Sequence, residues 1–546
     1  MPNKIEIFHK NEAFSGFIVE DIDLRKKIAL LLSPFADGYL YNPKYKIGAW
    51  DGRVPFYRVS GSSMLVPKGL LFYLEELFKE NDIEYSIEKD TYENITRAEV
   101  DDFIESLEIP FKPYEYQKQC VYESLTKGRV TNVAATGSGK SLMIYMLIRY
   151  MLQTDRTAMI IVPNIMLVNQ IYSDFKEYGF KDIDSYVQRI GGEHKDKEIT
   201  KACVITTWQS QYKRDNEFYD RDAIIIDECH GVGVDSQIKE VILPKATKAK
   251  FRWGFTGTLP KSEISRLSIF SALGAPNRVI NAQGLIEAGL ATPVQIKAIL
   301  LHYKQEDAEF VHHQKSYPKE EEFMMQHLKR NDVLVSIINK ISKKGNTLVL
   351  YSKIAHGDFL LKLLIRKKTG LDVTSFEVIR EVKGNISKLQ ANTKYFVKTP
   401  LTEAVKKTLS KNALNPSNFV ELDSLNIFCV DGSINSSERE RIRVLLEHKD
   451  DAIVLATLKT FSTGINVRKL HSLVLASSTK SEITIGQSIG RIMRLHNTKE
   501  KVTVYDIVDV MLGKRGKENY FYKHFKGRFS EYSDAGYPID EISICL

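Results

Sequence analysis

Cysteine is scarce in this 546-residue chain: Cys120, Cys203, Cys229, Cys429 and Cys545 stand far apart, with no C-x-x-C pair. An odd number at such spacings excludes a disulfide framework and a structural zinc cage, and fits a protein of the reducing cytosol. Long apolar runs are missing too; none approaches the roughly 20 residues that cross a bilayer as a helix, so no membrane partner is expected. The first dozen residues interleave charged and apolar side chains and show no signal-peptide pattern. Proline (16) and glycine (31) are few and scattered, which excludes collagen-like and low-complexity sequence. What the chain does hold, 43% hydrophobic and 27% charged residues, excludes wholesale disorder. The length predicts three or four domains of roughly 100–200 residues each.

The net charge of +8 is modest, but it is unevenly spread. Residues 1–113 sum to −6 (14 basic, 20 acidic), 114–300 to +4 (24 and 20), and 301–546 to +10 (39 and 29). Attraction to an anionic polymer is therefore expected mainly from the second half of the chain, with salt dependence.

From about Lys127 to Thr258 the pattern alternates between short apolar runs and helical stretches. Val130–Ala135, Ala158–Val162, Ala202–Thr206, Ala223–Ile226 and Arg252–Phe255 read as buried strands. The texture resumes at Thr347–Tyr351, Asn426–Val430, Ala452–Ala456, Ser472–Leu475 and Val502–Asp506. Apolar strands separated by helices predict parallel sheets covered on both faces, so the fold class is α/β with two tandem sheets. The expected domains are 1–100 (a small α+β accessory domain), 101–288, 289–512 and a basic, aromatic helical extension, 513–546. Residues 371–426 interrupt the second sheet and are expected to be an insertion, partly ordered at best.

Ala134-Ala135-Thr136-Gly137-Ser138-Gly139-Lys140-Ser141 lies between a predicted strand and a helix. Its glycines permit the tight path that points backbone amides at a phosphate, and the helix after it adds its positive end. Thr136, Gly137, Ser138 and Gly139 would form the cradle, Lys140 would reach the β- and γ-phosphates, and Ser141 would ligate Mg²⁺. The first glycine of the usual pattern is Ala134 here. Ala223-Ile224-Ile225-Ile226-Asp227-Glu228-Cys229-His230 is a strand ending in adjacent carboxylates, 87 residues beyond Lys140. Asp227 is suited to hold magnesium through water, and Glu228 to orient or deprotonate the attacking water.

With these residues the chain resembles a superfamily 2 helicase. Tyr116-Gln117 resembles the adenine-reading motif, without the arginine that often precedes it. Val162-Pro163-Asn164, Thr206-Thr207-Trp208-Gln209, Thr256-Gly257-Thr258, Leu350-Tyr351-Ser352, Ser462-Thr463-Gly464-Ile465 and Gln487-Ser488-Ile489-Gly490-Arg491-Ile492-Met493-Arg494 come in the family's order. The resemblance implies two RecA-like lobes with ATP in the cleft between them. Gln487, Arg491 and Arg494 would serve the γ-phosphate, with Arg494 as the finger, while Gln117 and Gly464 would contact the nucleotide. It also implies a nucleic-acid track through Pro163, Asn164, Thr207, Gln209, Ser352 and Thr463. Short hydroxyls and amides hold phosphate without reading sequence. Trp208 reads either as a base-stacking residue or as core.

Residues 39–58 carry six aromatics and four basic residues against one acid, Asp51. Interleaved aromatics and bases suit a nucleic-acid surface that includes Arg53. A β-hairpin core with turns at Asn42-Pro43 and Asp51-Gly52 is the competing reading. Lys514, Arg515, Lys517, Lys523, Lys526 and Arg528 are expected on one basic helix, against Glu518 alone. Phe35-Ala36-Asp37-Gly38-Tyr39 with Trp50-Asp51-Gly52-Arg53 is similar to the branch-migration helicases of T-even bacteriophages. That similarity implies an ATP- and Mg²⁺-dependent monomer in the host cytoplasm. It would act on branched or single-stranded DNA (forks, Holliday junctions, D-loops, R-loops) beside phage recombination proteins, with RNA or RNA–DNA hybrids as the alternative substrate.

Overall fold

Apolar strands separated by helices fold here as two parallel sheets, each within its own unit, Met1–Asn281 and Ala282–Leu546. The computed structural model describes residues 4–546 apart from 89, 91, 193–197, 212–218, 234–235, 237–238, 240–244, 383–385, 387–388, 392, 433, 435, 459, 461–466 and 480–481.

The first unit opens with β1 (Ile5–His9), β2 (Phe14–Ile18), β3 (Arg58–Ser60), β4 (Ser63–Pro67) and β5 (Tyr85–Ile87). They form one sheet in the order β3-β4-β2-β1-β5, antiparallel except for β1 with β5. No hairpin forms between residues 39 and 58. Asn42 accepts the Lys44 amide and Pro43 occupies the first helical position, so this dipeptide starts a one-turn helix, Pro43–Lys46.

The module is fused to the larger sheet that succeeds it in the chain. Leu70, Leu74 and Phe78 share one buried cluster with Ile264, Leu267, Phe270 and Leu273. Gly69 lies so close to the Phe270 carbonyl that a side chain there would collide with it. Lys68, 4% exposed, donates to Glu12 at 3.0 Å and Asp90 at 2.5 Å, while Arg129 of the larger sheet donates to the Glu12 carboxylate at 2.9 Å. Burial alone would raise the Glu12 pKa, but these two cations overcome it and hold the acid below its usual range.

The main sheet of this unit comprises β6 (Arg129–Ala134), β7 (Ala158–Val162), β8 (Val187–Ile190), β9 (Cys203–Thr207), β10 (Ala223–Asp227), β11 (Phe251–Thr256) and β12 (Pro276–Ile280). It is parallel throughout, in the order β12-β6-β11-β10-β7-β9-β8. The carboxyl ends of β6 and β10 therefore lie on one edge with only β11 between them. That edge carries Lys140, Asp227 and Glu228.

The second unit's sheet comprises β13 (Val294–His302), β14 (Thr347–Tyr351), β18 (Ile427–Val430), β19 (Ile453–Thr457), β20 (Ser472–Leu475), β21 (Val502–Val510) and β22 (Ile539–Cys545), with β15 (Phe376–Ile379), β16 (Lys394–Val397) and β17 (Phe419–Glu421) set apart. The order β18-β19-β14-β20-β21-β13-β22 is again parallel. Within segment 371–426, residues 383–385, 387–388 and 392 lie outside the described residues. β15, β16 and β17 make a separate parallel sheet with helix Glu403–Lys411, around Tyr395, Leu409 and Phe419.

The C-terminal extension holds the expected helix, Tyr520–Asp534, and then adds β22 beside β13. Lys514 and Arg515 lie before that helix, in an exposed turn where Arg515 is left-handed at φ 60°. Arg528 does not join a basic face. It is 3% exposed and donates through Nε and Nη2 to the two Asp506 carboxylate oxygens, each at 2.8 Å.

Candidate nucleotide site and nucleic-acid track

The phosphate loop comes after β6 and leads into helix Lys140–Gln153. Gly137 and Gly139 adopt φ of 89° and 80°, the left-handed conformation that turns successive amides to one side. Ser138 is buried, and its hydroxyl has no hydrogen-bond partner among the described residues. Lys140 Nζ donates to the Ala134 carbonyl at 3.3 Å, a long bond that an anionic acceptor can replace. A cradle of left-handed glycines, an orphaned hydroxyl and a weakly held ammonium fits a phosphate ligand.

Gln117, which the resemblance assigns to the nucleotide, lies against the phosphate loop. It is 3% exposed, its Nε2 donates to the Ser138 carbonyl at 2.8 Å, and its Oε1 accepts the Tyr114 amide at 2.9 Å. Tyr116 donates to the same Ser138 carbonyl at 2.8 Å. The pair props the loop from beneath, and a side chain on Gly139 would strike the Gln117 amide. Gln117→Ala should therefore loosen the loop and weaken nucleotide binding about fivefold or more, as loss of a buried hydrogen bond does. Binding of adenosine and guanosine nucleotides should fall together, measured by titration; a selective loss for adenine would restore the base-reading role.

At the end of β10, Asp227 Oδ1 accepts the Glu228 amide at 3.0 Å. Glu228 sits at φ 52°, a conformation that non-glycine residues seldom adopt and that structures retain at functional positions. Burial first and the neighbouring Glu228 second push the Asp227 pKa well above the usual carboxylate range, and Lys140 opposes them. A divalent cation would relieve that cost. Among the described residues no group of three or more His, Cys, Asp or Glu could cage a metal. Ser141 and Asp227 thus suit magnesium that keeps waters and phosphate oxygens as its other ligands.

Side chains around these two acids and the phosphate loop support them. His230 Nδ1 lies 3.2 Å from Glu228 Oε2 and 3.1 Å from Thr256 Oγ1, and Thr256 donates to the Thr258 carbonyl at 3.0 Å. His230 thereby sits between Glu228 and the Thr256-Gly257-Thr258 segment. A Cβ on Gly257 would sit 3.2 Å from Thr136 Oγ1, so that segment backs the phosphate loop. Ser141 shares a 2.9 Å hydrogen bond with Tyr178, whose phenol burial pushes up to about 12 and keeps protonated.

The expected track residues are mostly engaged in structural bonds. Asn164 caps helix Ile165–Glu177 by accepting the Leu167 amide at 3.1 Å. Gln209 donates to the Pro163 carbonyl at 3.0 Å, so these two sites adjoin. Thr207 is 4% exposed, and Trp208 packs partly buried against the core. Ser352 donates to the Glu321 carboxylate at 2.8 Å. Arg53 stacks on Phe35 at 4.0 Å and donates to the Ser33 carbonyl at 2.6 Å, which occupies the guanidinium inside the module. Thr463 and Gly464 lie outside the described residues.

Gln487 and Arg491 are half-buried on helix Glu482–Ile492. The helix closes at Ile492, so Arg494 stands beyond it in a turn and the two arginines do not share one helical face. Lys499 stabilises that end by donating to the Ile492 carbonyl at 2.8 Å, a cation at a helix C-terminus. Burial lowers its pKa to about 8, aided by Arg494 and opposed by Glu447.

Three family descriptions match along the chain: "DNA helicase UvsW, N-terminal" at residues 9–90, "Type III restriction enzyme, res subunit" at 110–261, and "Helicase conserved C-terminal domain" at 378–496. The ATP-dependent DNA helicase uvsW of Enterobacteria phage T4 is 27% identical over 522 residues, covering 91% of both chains. Among solved structures, T4 UvsW aligns over 100% of both chains at 22% identity and a TM-score of 0.47. The DNA-bound Type ISP restriction-modification enzyme LlaBIII aligns over 80% of this chain and 32% of its own, at 13% identity and a TM-score of 0.50. The order of the three matches repeats the order of the module, the first parallel sheet and the second. Along most of its length this chain is similar to the UvsW-type superfamily 2 helicases.

Proposed function

We propose that the protein is an ATP-dependent DNA helicase that translocates on and remodels branched DNA: forks, Holliday junctions, D-loops and R-loops. One observation carries the reading. The UvsW N-terminal match at residues 9–90 lies on a module that shares a core with the motor sheet, and the likeness to the T4 enzyme extends over 91% of both chains.

Magnesium supplies charge neutralisation at the phosphates when bound. Ser141 and Asp227 would hold it, and the amides around Gly137 and Gly139 with Lys140 would hold the phosphates. Glu228 would accept the proton of the attacking water, with His230 fixing its orientation. Gln487, Arg491 and Arg494 are assigned to γ-phosphate chemistry by the family's motif order. On the nucleic-acid side, the Pro163–Gln209 contact, Lys514 and Arg515 are the groups we assign to phosphates. An RNA–DNA hybrid helicase is the second reading, since phosphate contacts do not distinguish the sugars.

Forked DNA, a Holliday junction, an R-loop and an RNA duplex, presented side by side with ATP and Mg²⁺, test the proposal. Unwinding of the DNA fork and junction is expected, with the RNA duplex left intact. Unwinding confined to the R-loop or the RNA duplex would replace the proposal with the second reading.

A further inference from the structure

Residues 36–52 leave the N-terminal module as a closed excursion. At its neck Phe35 bridges Arg53, the Ala36 amide donates to the Gly52 carbonyl at 2.8 Å, and Trp50 Nε1 donates to the Arg53 carbonyl at 2.8 Å. Above the neck stands an aromatic pile. Arg53 covers Phe35, Phe35 stacks on Tyr39 with centroids 4.4 Å apart, and Tyr45 meets Tyr39 edge-on at 4.9 Å. Gly52, left-handed at φ 84°, lies so close that a Cβ would sit 2.6 Å from the Tyr39 ring. The excursion is therefore built to be stiff.

Its tip is apolar and faces water. Tyr41 is 81% exposed, Ile47 77% and Leu40 55%. Folding rarely leaves side chains of this size bare together without a binding role. The charge around them has one sign: Lys44 and Lys46 are exposed, and no acid occurs between Tyr39 and Trp50. The flanking acids are already engaged, Asp51 accepting the Arg53 amide at 3.0 Å and Asp37 the Ser262 hydroxyl at 2.7 Å. Large bare apolar groups beside exposed ammonium groups match the two faces of nucleic acid, stacked bases and phosphates.

We infer that this tip is the strand-separating wedge: Tyr41 and Ile47 stack on the terminal base pair at a duplex branch while Lys44 and Lys46 hold the flanking phosphates. The inference rests on the helicase reading above and adds the element that opens the duplex. The pedestal of Arg53, Phe35 and Tyr39 carries the load, which accounts for an arginine spent inside the module. A rigid apolar wedge needs no sequence preference, because every base offers a stacking face.

The 546-residue chain carrying Tyr41→Ala and Ile47→Ala tests this, on a fork with 2-aminopurine at the branch-point pair. The wild type should brighten the probe on binding. The double variant should not, and its fork unwinding should slow about tenfold, the scale of a lost base stack. Single-strand-stimulated ATPase should stay at the wild-type level, because the tip lies outside the motor site. Tyr41→Trp should preserve both fork signals. Unchanged probe brightening and unwinding in the double variant would overturn the wedge and leave the tip to a protein partner. A parallel loss of stimulated ATPase would overturn it too, by making the tip part of the motor's own track. Failure of the helicase reading looks different: the wild type itself would then show neither DNA-stimulated ATPase nor unwinding.

Discussion

Glu228→Gln should lower DNA-stimulated ATP hydrolysis by about 10²–10⁴, the range that a positioned general base contributes. Nucleotide binding should survive. Glutamine keeps the length and one oxygen of glutamate, so the 3.2 Å approach to His230 and the backbone at φ 52° can both persist. What is lost is the capacity to take a proton. Steady-state turnover, equilibrium binding of a fluorescent nucleotide and a thermal melt separate the outcomes. Retained turnover with an intact fold would remove Glu228 from the chemistry. Abolished binding would make it a ground-state contact. The neighbouring Asp227 predicts a different pattern: on the proposal that it holds the cation, its removal should raise the Mg²⁺ concentration required.

The legible parts of this chain are those where local chemistry leaves one solution. Apolar runs such as Ala158–Val162 and Ala223–Ile226, short and bounded by turn signals, read as strands buried on both faces, and the glycines around Ser138 read as a tight turn suited to an anion. The spacing of the strands that end at Ala134 and Asp227 then puts Lys140 and Glu228 on one sheet edge. What escapes the sequence is mostly decided by tertiary partners. Gln117 reads as a base contact until Ser138 and Tyr114 are seen to take its amide. Tyr178 carries no motif, yet its hydroxyl meets Ser141. β8 and β12 escape detection because each is short and contains polar residues, Gln188 and Arg189 in one and Asn277 and Arg278 in the other. Segment 371–426 reads as a polar insertion, and the small core around Tyr395 and Phe419 that holds three short strands there is not visible in the sequence. At 39–58 the aromatic and basic composition is visible. Which residues support and which protrude is not.

Arg528→Ala should destabilise the second unit by about 3 kcal/mol, the lower end of what removing one partner of a buried ion pair costs. Burial disfavours the charged guanidinium, but the two bonds to Asp506 more than compensate and raise its pKa. With the arginine gone, Asp506 keeps only the Tyr532 hydroxyl at 3.0 Å among its side-chain donors on that helix, inside a site with almost no water. The lower end is expected because that bond remains. In a unit of this size the destabilisation corresponds to a fall in melting temperature of about 6–12 °C. DNA affinity, measured below the transition, should not change, and neither should its salt dependence. Replacing Lys514 and Arg515 with alanine should do the reverse, leaving the melt in place and reducing the salt slope by about 0.7–0.9 for each phosphate no longer neutralised. In the sequence these cations belong to one basic cluster. One buried carboxylate separates a residue that holds the fold from those proposed to meet DNA, and the two measurements would show the division directly. A drop in DNA affinity for Arg528→Ala with an unchanged melt would return it to the basic face that composition alone predicts.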